Sequence, residues 1–369
     1  MTNIYCNRND LNIALSNLSH SIPRRTTSPM LSCALIRINN GEMYLSTTDM
    51  NIMIETVINV ECSEELEIAI PYSIFQRTVS KLPEEDIMMI YDKDENKLTI
   101  KSGKYSSQHI CISSEDYPRV MIKESEDYIK FDKNIFKKMI QKTSFSANSD
   151  EINGILTGVL IKNENKNLSM VACDTFRVAL NENKTDIEKN FEVVVPAKLL
   201  QETSRIIGDG EENNEIKIDV IDNKIVMIFD NNKVVINTLN GKFIDYERII
   251  NISGSLKIRV KTEDLINSID RASIFSSFVE NNFIKISINE DVLKINSLSE
   301  EGNMEESIDI IKEGPDLEIG FNSQYLKEIL KAIDDEEILL TMKTSTDPCI
   351  ITPLKGEKYL YLILPVRIK

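Results

Sequence analysis

The residues with catalytic potential are few. Asp49 closes the run Leu45-Ser46-Thr47-Thr48-Asp49, and Asp174 closes Met170-Val171-Ala172-Cys173-Asp174. Two carboxylates at matching points could form an acid–base pair. They also stand at the ends of two similar hairpin patterns, where an aspartate most simply closes a turn. Histidine chemistry has only His20 and His109 to draw on. Neither lies near a cysteine in a zinc-ligand spacing. Cys6, Cys33, Cys62, Cys111, Cys173 and Cys349 are scattered without a Cys-x-x-Cys pair. They read as buried free thiols. There is no phosphate-binding Gly-x-x-x-x-Gly-Lys-Ser/Thr loop, no nucleophile elbow and no His-Glu-x-x-His. No metal, no cofactor and no catalytic activity are expected, and binding outranks catalysis.

The elements around these residues repeat. Leu35–Asp49 and Leu160–Asp174 each read as two alternating apolar runs around an Asn-containing turn, and Phe283–Asn296 is a third copy without the closing Asp. Each copy is followed by a strand, a helix opener and an amphipathic helix. The openers are Ala69-Ile70-Pro71-Tyr72, Val194-Val195-Pro196-Ala197 and Gly320-Phe321-Asn322-Ser323. Pro71 and Pro196 suit a first helical turn, and Asn322 suits a cap. Each third also begins with a helix, marked by Leu11, Ala14, Leu15 and Leu18, by Phe136, Met139 and Ile140, and by Leu265, Ile266 and Ile269. Asp132 and Thr262 are the expected caps of the last two. The reading is three similar α+β domains, 1–123, 124–252 and 253–369, with boundaries near Lys123-Glu124-Ser125-Glu126 and Asn251-Ile252-Ser253-Gly254. Three equal domains in a row make an arc or a ring, or else record a gene fusion with no further meaning.

The net charge is −16, which by itself opposes nucleic-acid binding. The six helical stretches 8–20, 71–82, 132–143, 196–207, 262–275 and 322–333 nevertheless sum to about +5, although the fifth is acidic. If the helices share one surface, that surface attracts phosphates without reading sequence, and an acidic remainder repels DNA. The candidates are Arg24, Arg25, Arg77, Lys81, Lys133, Lys137, Lys138, Lys142, Lys198, Arg205, Lys327 and Lys331. Charge alone equally allows solvated helix faces. No apolar run approaches the ~18 residues of a membrane span, and the N-terminus lacks a signal pattern. The expected location is the cytoplasm.

An ordered set of motifs then points to a family. Ser28-Pro29-Met30-Leu31, Thr48-Asp49, Ala172-Cys173-Asp174-Thr175-Phe176-Arg177-Val178-Ala179, Val195-Pro196, Gly241-Lys242-Phe243-Ile244-Asp245-Tyr246, Phe321-Asn322 and Leu364-Pro365-Val366-Arg367-Ile368 resemble the bacterial sliding clamp, the beta subunit of DNA polymerase III. The resemblance implies three clamp domains, each with two helices packed on antiparallel sheets. These would form half of a homodimeric ring around double-stranded DNA. It implies docking of the DNA polymerase III catalytic subunit, a clamp loader, other polymerases and repair proteins through short peptides with an apolar end.

The peptide pocket so implied comprises Leu156, Cys173, Thr175, Phe176, Arg177, Val178, Ile244, Ile249, Leu362, Ile363, Leu364, Pro365, Val366 and Arg367. Leu156, Val178, Ile244, Ile249 and Leu364 would form an apolar cleft, with Arg177 and Arg367 at its rim. The closing strand also reads as plain core. The family usually has Gly-His at Thr175-Phe176 and often Pro at Ile244, so the pocket's shape is expected to differ. The implied ring interface sets Lys101, Lys104, Ser107 and His109 against Ile274, Phe275, Glu300, Glu301, Glu305 and Glu306. Ser107 and His109 make that strand polar, and a weaker dimer is expected. The residues leave open a rival in which the chain is a peptide-binding scaffold that does not encircle DNA.

Overall fold

A computed structural model describes residues 1–120, 128–208, 214–356 and 358–368. The expected boundary at Lys123-Glu124-Ser125-Glu126 lies outside them. The first third runs β1 (Thr2–Asn7), α1 (Arg8–Leu18), β2 (Cys33–Asn39), β3 (Glu42–Thr48), β4 (Ile52–Asn59), β5 (Leu66–Pro71), α2 (Tyr72–Val79), β6 (Asp86–Asp92), β7 (Lys97–Ser102) and β8 (Tyr105–Ile110). The second runs β9 (Ile129–Asp132), α3 (Lys133–Thr143), β10 (Gly158–Glu164), β11 (Asn167–Cys173), β12 (Arg177–Lys184), β13 (Phe191–Pro196), α4 (Ala197–Ile206), β14 (Glu215–Ile221), β15 (Lys224–Phe229) and β16 (Asn232–Asn237). A short helix, α5 (Tyr246–Ile250), precedes the third. The third runs β17 (Leu256–Lys261), α6 (Thr262–Ser276), β18 (Phe283–Asn289), β19 (Val292–Ser299), β20 (Gly302–Asp309), β21 (Ile311–Glu313), β22 (Leu317–Asn322), α7 (Ser323–Lys331), β23 (Glu337–Met342), β24 (Cys349–Pro353) and β25 (Lys358–Ile363).

The repeated hairpins form where the sequence puts them. Asn39 pairs with Glu42, Glu164 with Asn167 and Asn289 with Val292. Each leaves a two-residue loop: Asn40-Gly41, Asn165-Lys166 and Glu290-Asp291. Both residues of the first two loops have positive φ, and so does Glu290. That conformation matches a tight turn to the right-handed twist of the strands. Asp49 and Asp174 are turn residues. Asp49 Oδ1 accepts from the Asn51 and Ile52 N–H groups at 2.8 and 2.9 Å. Asp174 Oδ1 accepts from Phe176 and Arg177 N–H at 2.7 and 2.9 Å.

Helix entry differs from expectation at three points. Pro71 and Pro196 end the preceding strands, one residue before the helix, so they set its entry angle rather than its first turn. Thr262 is the first residue of α6, not its cap, and its buried hydroxyl has no hydrogen-bond partner among the described residues. Glu263 and Asp264 occupy that first turn, where the N-terminal dipole favours negative charge. Asn322 does cap α7, accepting from Gln324 and Tyr325 N–H at 2.9 and 3.2 Å. Asn322→Ala is expected to cost about 1 kcal/mol in a urea unfolding curve. An unchanged midpoint would show that the cap is idle.

Contacts divide the chain into two units, Met1–Asn134 with Glu202–Thr238 and Ile135–Gln201 with Leu239–Lys369. The first unit holds a sheet ordered β5-β2-β3-β4-β16-β15-β14-β9 and another ordered β1-β6-β7-β8. The second holds β13-β10-β11-β12-β25-β24-β23-β17-β21 and β20-β19-β18-β22. The middle third thus gives one sheet half to each unit. Its strands join the neighbours by antiparallel pairs, β16 to β4 and β12 to β25. In the second unit, α6 and α7 bury Leu265, Ile269, Ala272, Leu326, Ile329 and Leu330 in a core with Ile284, Ile286, Ile319, Ile338 and Tyr361. Each of these leucines and isoleucines contributes about 1.5–3 kcal/mol by leaving water. In the first unit, Leu11, Ala14, Leu15 and Leu18 of α1 are fully buried.

Candidate functional site

The pairing of β12 with β25 builds an apolar cluster where the peptide cleft is expected. Val178 pairs with Leu362 and Leu180 with Leu360. Alternation along a strand sends these four to one face. Over that face lie Phe243, Ile244, Tyr246, Ile250 and Ile252, with Ile155 and Leu156 from the turn after Asp150. The structure therefore brings together Leu156, Cys173, Val178, Ile244 and Leu362 of the expected set. Cys173 is fully buried, with its thiol pushed up to about 12 by burial, so it belongs to the floor and has no open surface. One assignment is corrected. Ile363 points to the opposite face of β25 and is fully buried in the C-terminal core. Ile249 is 39% exposed on α5, and the next residue, Ile250, packs against the apolar cluster. Thr175 and Leu364 are exposed, and Pro365 is half-buried. Beyond β25 the Leu364 N–H donates to the Phe176 carbonyl, and the Val366 N–H donates to Gly320 O, both at 2.8 Å. Arg367 is exposed beyond them.

Arg177 is not at the rim. Its side chain is 6% exposed. Nε donates to Asp174 Oδ2 at 3.1 Å, Nη1 to Glu328 Oε2 at 2.5 Å and Nη2 to the Phe145 carbonyl at 2.9 Å. The guanidinium carbon lies 4.5 Å from the Tyr325 ring centroid and 5.4 Å from that of Phe145. Gln324 Nε2 holds the other Glu328 oxygen at 2.6 Å. Burial, and then the Asp174 charge, push the Tyr325 hydroxyl pKa up. Phe145, Tyr325 and Glu328 were missed from sequence. The available signal was Asp174 itself: an arginine three residues after a turn aspartate is drawn back under the turn, and its remaining donors then require acceptors.

The basic residues divide by burial. In the first unit Arg24, Arg25, Arg77 and Lys81 are exposed, with Arg77 bonded back to Ser73. Arg205 pairs with Glu202 at 2.8 Å, and Glu202 also meets His20 Nδ1 at 2.5 Å. Lys133 is corrected: its side chain is 2% exposed and its Nζ lies 2.6 Å from Asp230 Oδ1. In the second unit Lys138, Lys198 and Lys331 are exposed and Lys137 is half-buried. Lys142 is corrected likewise. It is buried, 3.3 Å from Asp334 and over the Tyr359 ring. Lys327 is tied to Asp270 at 2.7 Å, which removes part of the acidity that the sequence assigned to α6.

Comparison with known proteins gives three consecutive matches. Family profiles for the N-terminal, central and C-terminal domains of the DNA polymerase III beta subunit match residues 2–121, 130–245 and 248–367. A structure described as a DNA polymerase III beta subunit from Eubacterium rectale is 31% identical, with a TM-score of 0.93 and full coverage of both chains. The chain belongs to the DNA polymerase III beta subunit family. The beta sliding clamp of Staphylococcus aureus is 29% identical over 364 residues, covering 96% of each chain. The sliding clamp structure from Bacillus subtilis is 27% identical, with a TM-score of 0.95 over the full length of both.

Among the described residues, β8 ends the four-stranded sheet of the first unit and β20 ends that of the second, each without a further neighbour. Lys101, Lys104 and Ile110 are exposed beside or on β8. His109 is corrected: it is buried edge-on to Phe75, with Ser107 Oγ 3.1 Å from Nε2, and burial pulls its pKa down. It therefore serves the core of its own subunit. Near β20, Ile274 is 61% exposed, Phe275 packs over Gly302, and Glu300 and Glu301 are exposed. Glu305 and Glu306 are already paired within the chain, with Lys294 and Arg271. They are not unpaired charges awaiting a partner. Among the described residues no helix is long and apolar enough to cross a membrane, and no group of three or more His, Cys, Asp or Glu could hold a metal ion.

Proposed function

We propose that this chain is a replication sliding clamp that acts as a closed ring of two copies, head to tail, around double-stranded DNA. It has no catalytic activity of its own. The observation that carries the ring is the repeat of the sheet junctions. The edge strand after the hairpin is β4 in the first third, β12 in the second and β20 in the third. β4 pairs with β16, the last strand of the second third, and β12 pairs with β25, the last of the third. By the same rule β20 should pair with the last strand of a first third, which is β8. Both strands are sheet edges in this chain. An unpaired edge invites a partner, and a two-fold arrangement satisfies both pairs at once.

The exposed cations Arg24, Arg25, Arg77, Lys81, Lys138, Lys198 and Lys331 would meet phosphates from the helical side. Their small number suits sequence-independent, mobile binding. The cleft over Val178 and Leu362 would take short apolar-ended peptides of the DNA polymerase III catalytic subunit, the clamp loader, other polymerases and repair proteins. Light scattering on a sizing column tests the ring. We expect twice the 42.1 kDa chain mass, with nicked circular DNA retaining loaded protein that linear DNA releases. A single-chain mass at every concentration, with no such retention, would favour the scaffold reading.

A further inference from the structure

Phe176 is 51% exposed, yet its ring is stacked on Tyr325, with centroids 5.8 Å apart and planes 25° apart. Its main chain is pinned from both sides. The N–H donates to Asp174 Oδ1 at 2.7 Å, and the carbonyl accepts from Leu364 N–H at 2.8 Å. The ring can therefore leave only by turning about its own side-chain bonds. What it rests on is built without it. Tyr325 is fixed in the first turn of α7 by the Asn322 cap, and the Arg177 guanidinium beside it is held by three acceptors. A tyrosine ring flanked by an immobilised cation is a seat for a planar π group.

We propose that Phe176 is the resident occupant of this seat, and that an aromatic side chain of an incoming peptide displaces it. Phe176 then determines specificity by taxing aromatic-ended peptides relative to aliphatic-ended ones. This rests on the cleft's being a peptide site. One stacked pair is exchanged for another, so the tax equals the strength of the resident stack, about two- to tenfold in affinity.

The test uses two labelled peptides that differ only in ending with phenylalanine or leucine, titrated by anisotropy against the full chain. F176A is expected to tighten the phenylalanine-ended peptide and to shift the affinity ratio toward it, over the leucine-ended one, about two- to tenfold. In F176A/Y325L that gain should vanish. The chain has no tryptophan, so F176W carries a single reporter. Its emission should move to longer wavelength when the phenylalanine-ended peptide saturates the site. If both peptides bind but the affinity ratio is the same in F176A, or F176A weakens the phenylalanine-ended peptide, or the indole emission stays fixed, the displacement is refuted and the peptide site stands. Should neither peptide bind the unmodified chain, the peptide site falls and the displacement with it.

Discussion

Replacing Arg177 by methionine is expected to lower the unfolding free energy by about 3–5 kcal/mol and to abolish peptide binding. The size follows from what is left behind. Asp174 has a side chain 9% exposed and Glu328 one 33% exposed, and both lose their cation together. The Phe145 carbonyl loses a donor as well. Methionine restores volume but no charge, so the cost is electrostatic. Because Asp174 also shapes the Thr175-Phe176 turn through two backbone N–H groups, the edge of the cleft should distort. Arg177→Lys keeps the charge but offers a single ammonium to three acceptors in different directions, and it gives up the flat packing on Tyr325. It should recover less than half of the loss. Urea unfolding followed by circular dichroism reads this as a lowered midpoint. A loss under about 1 kcal/mol for the methionine variant would mean that solvent already screens the network.

The parts of this molecule that were legible in its sequence are those written in short-range patterns. The two-residue turns at Asn40-Gly41 and Asn165-Lys166, the buried stripe of α1 and the Asn322 cap each depend on neighbours within a few positions. What sequence did not reveal depends on partners far along the chain. The β4–β16 and β12–β25 junctions join strands about 180 residues apart in each case, and no local pattern announces them. Arg177 looked like a rim residue because an arginine's default is solvent. Its burial follows from Glu328, 151 positions away. His109 was placed at the ring interface by the resemblance, but alternation along β8 turns it toward Phe75. Even short-range readings slipped by one residue where two elements abut: Pro71 and Pro196 finish strands rather than begin helices. Ile250, which packs against the apolar cluster, was not picked out because the one-turn helix α5 is too short to leave a periodic pattern.

Exposed and buried cations of the helical stretches should give separable outcomes for DNA binding. Reversing Arg24, Arg25, Lys138 and Lys198 to glutamate should flatten the salt dependence of association with a short duplex. Each phosphate that is no longer neutralised takes about 0.9 off the slope of log affinity against log salt. Retention on nicked circular DNA should fall with it, while the mass and the urea midpoint stay as they were, since all four side chains are exposed. Lys133→Met should do the reverse. Its ammonium is enclosed and spent on Asp230, so no phosphate reaches it and the slope should not move. Stability should drop by about 1–3 kcal/mol, because a carboxylate that is one-third exposed recovers only part of its hydration. A slope unchanged by the four reversals would remove the basic helical surface from the account of function. A slope lowered by Lys133→Met at unchanged stability would return that lysine to the DNA-facing set, where helix position alone had put it.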